Sequence, residues 1–179
     1  MGGGILPVAI HKNKLYFLFG LENNMDDTPG WADFGGGRKG SETHFETATR
    51  EGAEELNGFF GSISEVRKLV KKKLILQIKL DTYHTYVFKT DYDDKLPFYF
   101  NNNFRFSQKN LPNIIKDTEN GLLEKQKIKW FTLDQVKKEK NFRPFYQNII
   151  DKLIKEIPKI KNKTRKHKKY QNKTKKRNN

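Results

Sequence analysis

Two apolar runs, Ile5 to Ile10 and Leu15 to Gly20 entered through Lys14, are rich in strand-forming side chains and separated by the polar triplet His11-Lys12-Asn13. Such a pattern predicts a hairpin over 5–10 and 14–20. Glu22 to Gly30 carries two Asn, two Asp, a Pro and a Gly and reads as a loop. Trp31 to Phe34 then forms a short strand running into Gly35-Gly36-Gly37. From Thr43 to Leu56 the period changes: Phe45, Ala48, Thr49, Gly52, Ala53 and Leu56 fall on one face of a helix, which stops at Asn57-Gly58, residues that accept the left-handed backbone. Ser64 is expected to cap a second, basic helix to about Lys72.

Farther on, Leu74 to Leu80 and Tyr83 to Thr90 predict another hairpin across Asp81-Thr82, while Asp91 to Asn110 shows no clear period. Ile128 to Phe131 reads as a late strand, Thr132 as the cap of a short helix, and Pro144 as the start of a longer helix to Ile157, with Pro158 closing the fold. Strands before, between and after helices predict an α/β or α+β sandwich with helices packed on a mixed sheet. The expected organisation is one domain over 1–158 and a basic, disordered tail over 159–179.

Charge supports that division. Of a net +15, eleven Lys or Arg lie between Lys159 and Asn179 with no Asp or Glu, which leaves +4 for the first 158 residues. Lys, Asn, Ile, Phe and Tyr are abundant and Ala scarce, the signature of an AT-rich genome, so part of the basicity has a mutational origin. There is no cysteine, which excludes disulfides, thiolate zinc sites and cysteine nucleophiles. No apolar run approaches the roughly 20 residues of a membrane span. The start Met-Gly-Gly-Gly lacks the layout of a secretory signal, and Leu6 stands where a myristoylation motif wants Ser or Thr. The expectation is a soluble cytoplasmic protein with no membrane partner, or a nuclear one if the tail acts as an address; the oligomeric state is not legible.

The chemistry concentrates behind the glycine loop. On a helix of about 3.6 residues per turn, Glu51 meets Glu54 three residues on and Glu55 four residues on, so three carboxylates are expected on one side. Like charges so close raise one another's pKa and destabilise a helix unless cations lie between them, and Mg²⁺, with Mn²⁺ as substitute, suits few carboxylates plus phosphate oxygens. Arg50 pairs with Glu46 or Glu54 one turn away and holds a carboxylate in place. Gly35 to Gly37 lets a ligand approach the main chain, with Arg38 and Lys39 following as phosphate contacts. On the opposite face Ala48, Gly52 and Ala53 require a close neighbour, because a mid-helix glycine costs roughly 1 kcal/mol against alanine.

The string Gly36, five residues, Glu42, seven residues, Arg50-Glu51-Gly52-Ala53-Glu54-Glu55-Leu56-Asn57-Gly58 resembles the Nudix box, G-x5-E-x7-R-E-U-x-E-E-x-G-U with U aliphatic. Gly36, Glu42, Arg50, Glu51, Glu54 and Glu55 match in register; Gly52, Asn57 and Gly58 depart from the box, and none of these removes a charge. The resemblance covers about residues 4 to 157, since Nudix domains also begin with a hairpin and close with a tryptophan-containing strand and a helix. The segments around Trp31 to Gly37 and Glu54 to Gly58 look most like Nudix proteins of large DNA viruses of protists.

That resemblance implies an α/β/α sandwich and Mg²⁺-dependent hydrolysis of a nucleoside diphosphate linked to another group. Carried over by position, Glu54 and Glu55 are the main metal ligands, Glu51 a further ligand or base, the Gly36 region a carbonyl ligand, and Glu42 and Arg50 braces. A general base outside the box would be Glu119 or Glu124. Phe98, Tyr99, Phe100, Phe104 and Phe106 offer stacking surfaces for a nucleobase or serve simply as core. The histidines have no metal-ligand spacing. Two alternatives stand beside the small-nucleotide reading: hydrolysis of the messenger RNA cap with residues 159–179 gripping RNA phosphates, and a non-catalytic Nudix-fold module that binds RNA or a protein partner.

Overall fold

The computed structural model describes residues 1–23, 28–116 and 123–164. The first hairpin pairs β1 (Gly2–His11) with β2 (Lys14–Glu22), turning at Lys12 and Asn13, both with positive φ. β1 starts three residues before the apolar run because its glycines pair with the glycine loop: Gly2 with Gly37, Gly3 with Gly36 and Gly4 with Gly35. The short strand before the loop is broken at Asp33 into β3 (Trp31–Ala32) and β4 (Phe34–Gly37). β5 (Leu74–Leu80) and β6 (Tyr83–Lys89) form the second hairpin, and β7 (Lys125–Thr132) lies antiparallel to β2. β1 and β6 run parallel. The sheet is therefore mixed, in the order β3-β2-β1-β6-β5 with β4 beside β1 and β7 beside β2.

Helices cover both faces. α1 (His44–Glu55) and α2 (Ile63–Lys73) enclose one core with Ile5, Leu18, Phe34, Phe88 and Trp130. α5 (Leu133–Lys138), a 3-10 turn at Pro144–Tyr146 and α6 (Gln147–Lys155) enclose the other with Leu6, Phe17, Phe19 and Phe131. This is the α+β sandwich expected from the order of elements. α1 begins at a full capping box between Thr43 and Glu46, and Asn57, at φ 49°, ends it.

Three expectations need correction. α2 is capped at Ser62 and not at Ser64, because Glu65 reaches back to the Ser62 N–H at 2.8 Å. The stretch without a period contains α3 (Leu96–Asn110), in which Phe100 and Phe104 are buried while Phe98, Tyr99 and Phe106 are exposed, so aromatics on the wet side hide the helical spacing. A short helix α4 (Pro112–Lys116) follows it. Helical structure also resumes past the boundary drawn at Pro158: residues 157–164 are helical, Ile157, Ile160 and Thr164 are buried, and Lys163 Nζ donates to the Ile75 carbonyl at 2.6 Å. The packed body reaches Thr164.

The neighbour that Gly52 requires is Ile5. A Cβ on Gly52 would stand 2.3 Å from Ile5 Cδ1, so an aliphatic side chain at this box position is replaced by one reaching up from the sheet. Gly52→Ala is expected to lower stability by about 1–3 kcal/mol through overpacking, and Gly52→Ala with Ile5→Val to recover part of it. Urea denaturation of the three chains checks this. Among the described residues no helix is long and apolar enough to cross a membrane.

Candidate active site

Arg50 organises the outer part of the site. Its Nε and Nη2 donate to the two oxygens of Glu42 at 2.8 and 3.0 Å, and Nη2 also donates to the Gly37 carbonyl at 3.0 Å. Nη1 bridges Glu54 at 2.9 Å and Glu51 at 2.8 Å. One planar fork thereby ties the glycine loop, Glu42 just ahead of the α1 cap, and two turns of α1 together. The hydrogen bonds from Arg50 pull the Glu42 carboxyl down to about 2, and the Lys39 N–H and the Thr47 hydroxyl add to it. The expected pairing with Glu54 is present. Glu46 instead closes the capping box on Thr43.

Glu51 is nearly buried and lies against Gly36, where a Cβ would approach its carboxyl carbon to 2.7 Å. Only a glycine leaves that carboxylate its place beside the loop backbone. Burial raises the Glu51 pKa, Arg50 opposes it, and the charge of Glu54 adds to the rise. Arg38 and Lys39 are exposed beyond the loop, with Lys39 close enough to lower Glu51.

Glu55 does not share the surface of Glu51 and Glu54. It turns inward and is 2 % exposed; Oε2 accepts the Gly35 N–H at 2.7 Å and Oε1 pairs with Lys125 Nζ at 3.0 Å. Lys125 is wholly buried and also pairs with Glu22, which in turn pairs with Arg143 at 2.6 Å. Burial pulls the Lys125 ammonium down, but Glu55 and Glu22 outweigh it and hold its pKa above the ordinary lysine value. Burial pushes Glu55 well up, against the pull of Lys125. Among the described residues no three His, Cys, Asp or Glu side chains stand as a closed ion site, because Arg50 and Lys125 divide the helix carboxylates between them.

Of the two candidate bases, Glu119 lies outside the described residues. Glu124, the residue before β7, comes to the site: burial raises its pKa first, and the charges of Glu51 and Glu54 raise it further. Lys125, the first residue of β7, is wholly buried, while Glu124 just ahead of the strand is half-buried. Sequence reasoning missed Lys125, Glu22 and the side chain of Asn57. An adjacent Glu-Lys pair opening an apolar strand was the available signal.

Beneath the loop Asp33 is buried and accepts from Tyr83 Oη at 2.8 Å and Thr85 Oγ1 at 2.7 Å. Desolvation nevertheless lifts it from its ordinary 3.8 to about 6. A carboxyl raised in the fold favours folding below the unfolded value and loses that contribution as pH rises through the folded one. The stability of the wild type minus that of Asp33→Asn is expected to fall by about 2 kcal/mol between pH 4 and pH 7. Denaturant titrations across that range measure it; a flat difference would show that Asp33 ionises freely.

No protein-family model matches the sequence, and no curated protein sequence matches it. Solved structures do. A C. elegans Ap4A hydrolase in a binary complex aligns with a TM-score of 0.51 at 16% identity, over 88% of this chain and 96% of that one. A bifunctional NMN adenylyltransferase/ADP ribose pyrophosphatase from Francisella tularensis, complexed with AMP and Mn ion, aligns with a TM-score of 0.54 at 15% identity, over 86% of this chain and 41% of that longer one. With the box residues in register on the glycine loop and α1, this chain has the Nudix fold.

Proposed function

We propose that the protein is a hydrolase that cleaves a diphosphate linkage in a nucleoside diphosphate joined to another group. The observation that carries this reading is the pair of carboxylates at one rim, Glu51 against Gly36 and Glu54 beside it, braced by a single arginine, with Glu124 near enough to feel the charge of both. Carboxylates crowded in this way, with the charge of Glu54 acting on both Glu51 and Glu124, fit a hard divalent cation in kind, Mg²⁺ or Mn²⁺. Glu51 and Glu54 would hold it, with the Gly36 carbonyl beside them and Glu55 behind. Such an ion neutralises charge on the diphosphate oxygens. Arg50 fixes the rotamers of Glu51 and Glu54, Arg38 and Lys39 supply phosphate contacts, and Glu124, poised above an ordinary glutamate, accepts the proton of the attacking water. The proteins known to share this fold include an Ap4A hydrolase and an ADP ribose pyrophosphatase, which sets the first substrates to try. Diadenosine tetraphosphate, ADP-ribose and capped RNA, incubated with Mg²⁺ or Mn²⁺ at mildly alkaline pH, are expected to include a substrate. A folded chain that turns over none of them sinks the reading.

Capped RNA is a second reading, favoured by the run of eleven Lys and Arg from Lys159 onward. Because Ile160 is wholly buried, the informative truncation removes 165–179 and leaves the packed helix. If RNA is the substrate, that truncation weakens RNA binding and flattens its salt dependence. Equal binding at every salt concentration with and without the segment argues for small nucleotides.

A further inference from the structure

The Nudix box has glycine where this chain has Asn57, and the backbone there is the left-handed one that glycine and asparagine share, φ 49°. As a helix stop the asparagine does only what glycine would do. Its side chain adds something glycine lacks: Asn57 Oδ1 accepts the backbone N–H of Leu123 at 3.1 Å, a contact spanning 66 residues. Leu123 is itself left-handed, φ 59°, and its side chain is buried with Phe104 and Ile115.

The residue after Leu123 is Glu124, and the one after that is Lys125, ion-paired to Glu55. Glu124 thus sits between two ties to the last turn of α1, one residue to either side of it. A third tie faces the other way, the Asn23 N–H donating to the Glu124 carbonyl at 2.7 Å. The backbone here is pinned on three sides, and the Glu124 carboxyl that it carries lies within reach of the charges of Glu51 and Glu54.

We propose that Asn57 is a positioning residue for the hydrolytic reaction: its amide oxygen holds the entry to β7 so that the Glu124 carboxylate is aimed at Glu51 and Glu54. The inference rests on the hydrolase reading and on the part of Glu124 in it. A box glycine here would leave the helix end intact and release Leu123.

Asn57→Gly is the discriminating variant because its backbone is tolerated at that φ, so the fold survives and only the acceptor is lost. With Mn²⁺ and the best substrate of the screen, Asn57→Gly is expected to lower kcat about fivefold, the worth of one ordinary hydrogen bond, with KM within about twofold. In hydrogen exchange the Leu123 amide becomes less protected. Asn57→Asp, which keeps an acceptor at the same place, returns both readouts toward wild type, and Glu124→Gln lowers kcat by about a hundredfold or more. Asn57→Gly at wild-type kcat beside an inactive Glu124→Gln overturns the role of Asn57 and leaves the hydrolase reading standing. A fully active Glu124→Gln also overturns it, by removing Glu124 from the chemistry. A wild-type chain that hydrolyses none of the screened compounds sinks the hydrolase reading and this inference together.

Discussion

Replacing Lys125 by methionine is expected to cost about 3–5 kcal/mol of stability at neutral pH, the usual penalty for stranding a buried charge. The ammonium is completely buried between Glu55 and Glu22. Arg143 remains on Glu22, and the Gly35 N–H remains on Glu55. Room for the lysine stem is itself built in: a Cβ on Gly20 would lie 2.9 Å from Lys125 Cδ. Because the cost lies in the unpaired partner more than in the lost attraction, Lys125→Met combined with Glu55→Gln is expected to regain a large part of it. Urea midpoints at unchanged slope give the comparison. A double variant no more stable than Lys125→Met would show that packing of the lysine stem, and not charge, is what the site needs.

That buried pair also marks where reading the chain stops. The glycine loop, the bounds of α1 and the two hairpins follow from local signals: the apolar helical period from Thr43 to Leu56, a stop at Asn57-Gly58, and turn residues between strand-forming runs. The outer half of the site follows too, because Glu42, Arg50, Glu51 and Glu54 lie close in sequence and meet through one loop and one helix. Glu55 was misplaced for a geometric reason. Spacing says that it neighbours Glu51 on the helix surface, but only the sheet decides which edge of that surface is covered, and the edge carrying Glu55 lies over Lys125 and Gly35.

The same holds for the helical segment over 157–164. Ile157, Ile160 and Thr164 recur at helical spacing, yet lysines between them gave the segment the look of a tail. Lysine stems tolerate half-buried positions because the ammonium reaches out to an acceptor. Lys163 does this over the edge of the sheet, at the carbonyl of Ile75, and Lys152 does so at the carbonyl of Lys79. Those contacts cover β5, the strand at the end of the sheet order. Net charge therefore described the composition of the segment and not its packing.

Glu54→Gln is expected to reduce kcat by about a thousandfold while leaving the fold intact, the scale on which losing a charge that stabilises the transition state is felt. Glu54 is the most exposed of the three helix carboxylates, and among the described residues it pairs with Arg50, which keeps Glu42 and Glu51 when Glu54 is changed. Nothing buried is stranded, so stability changes little. Glu46→Gln provides the control on the same helix. Glu46 closes the capping box at Thr43, a position where glutamine serves as well as glutamate, and it has no contact with Arg50. The two substitutions remove the same charge from the same helix, so a general effect of charge on α1 would lower both rates alike. If Glu46→Gln keeps wild-type turnover and Glu54→Gln loses it at unchanged denaturation midpoint, the carboxylate beside Glu51 acts in the reaction. Wild-type turnover in Glu54→Gln would instead reduce the Arg50 cluster to a brace for the glycine loop.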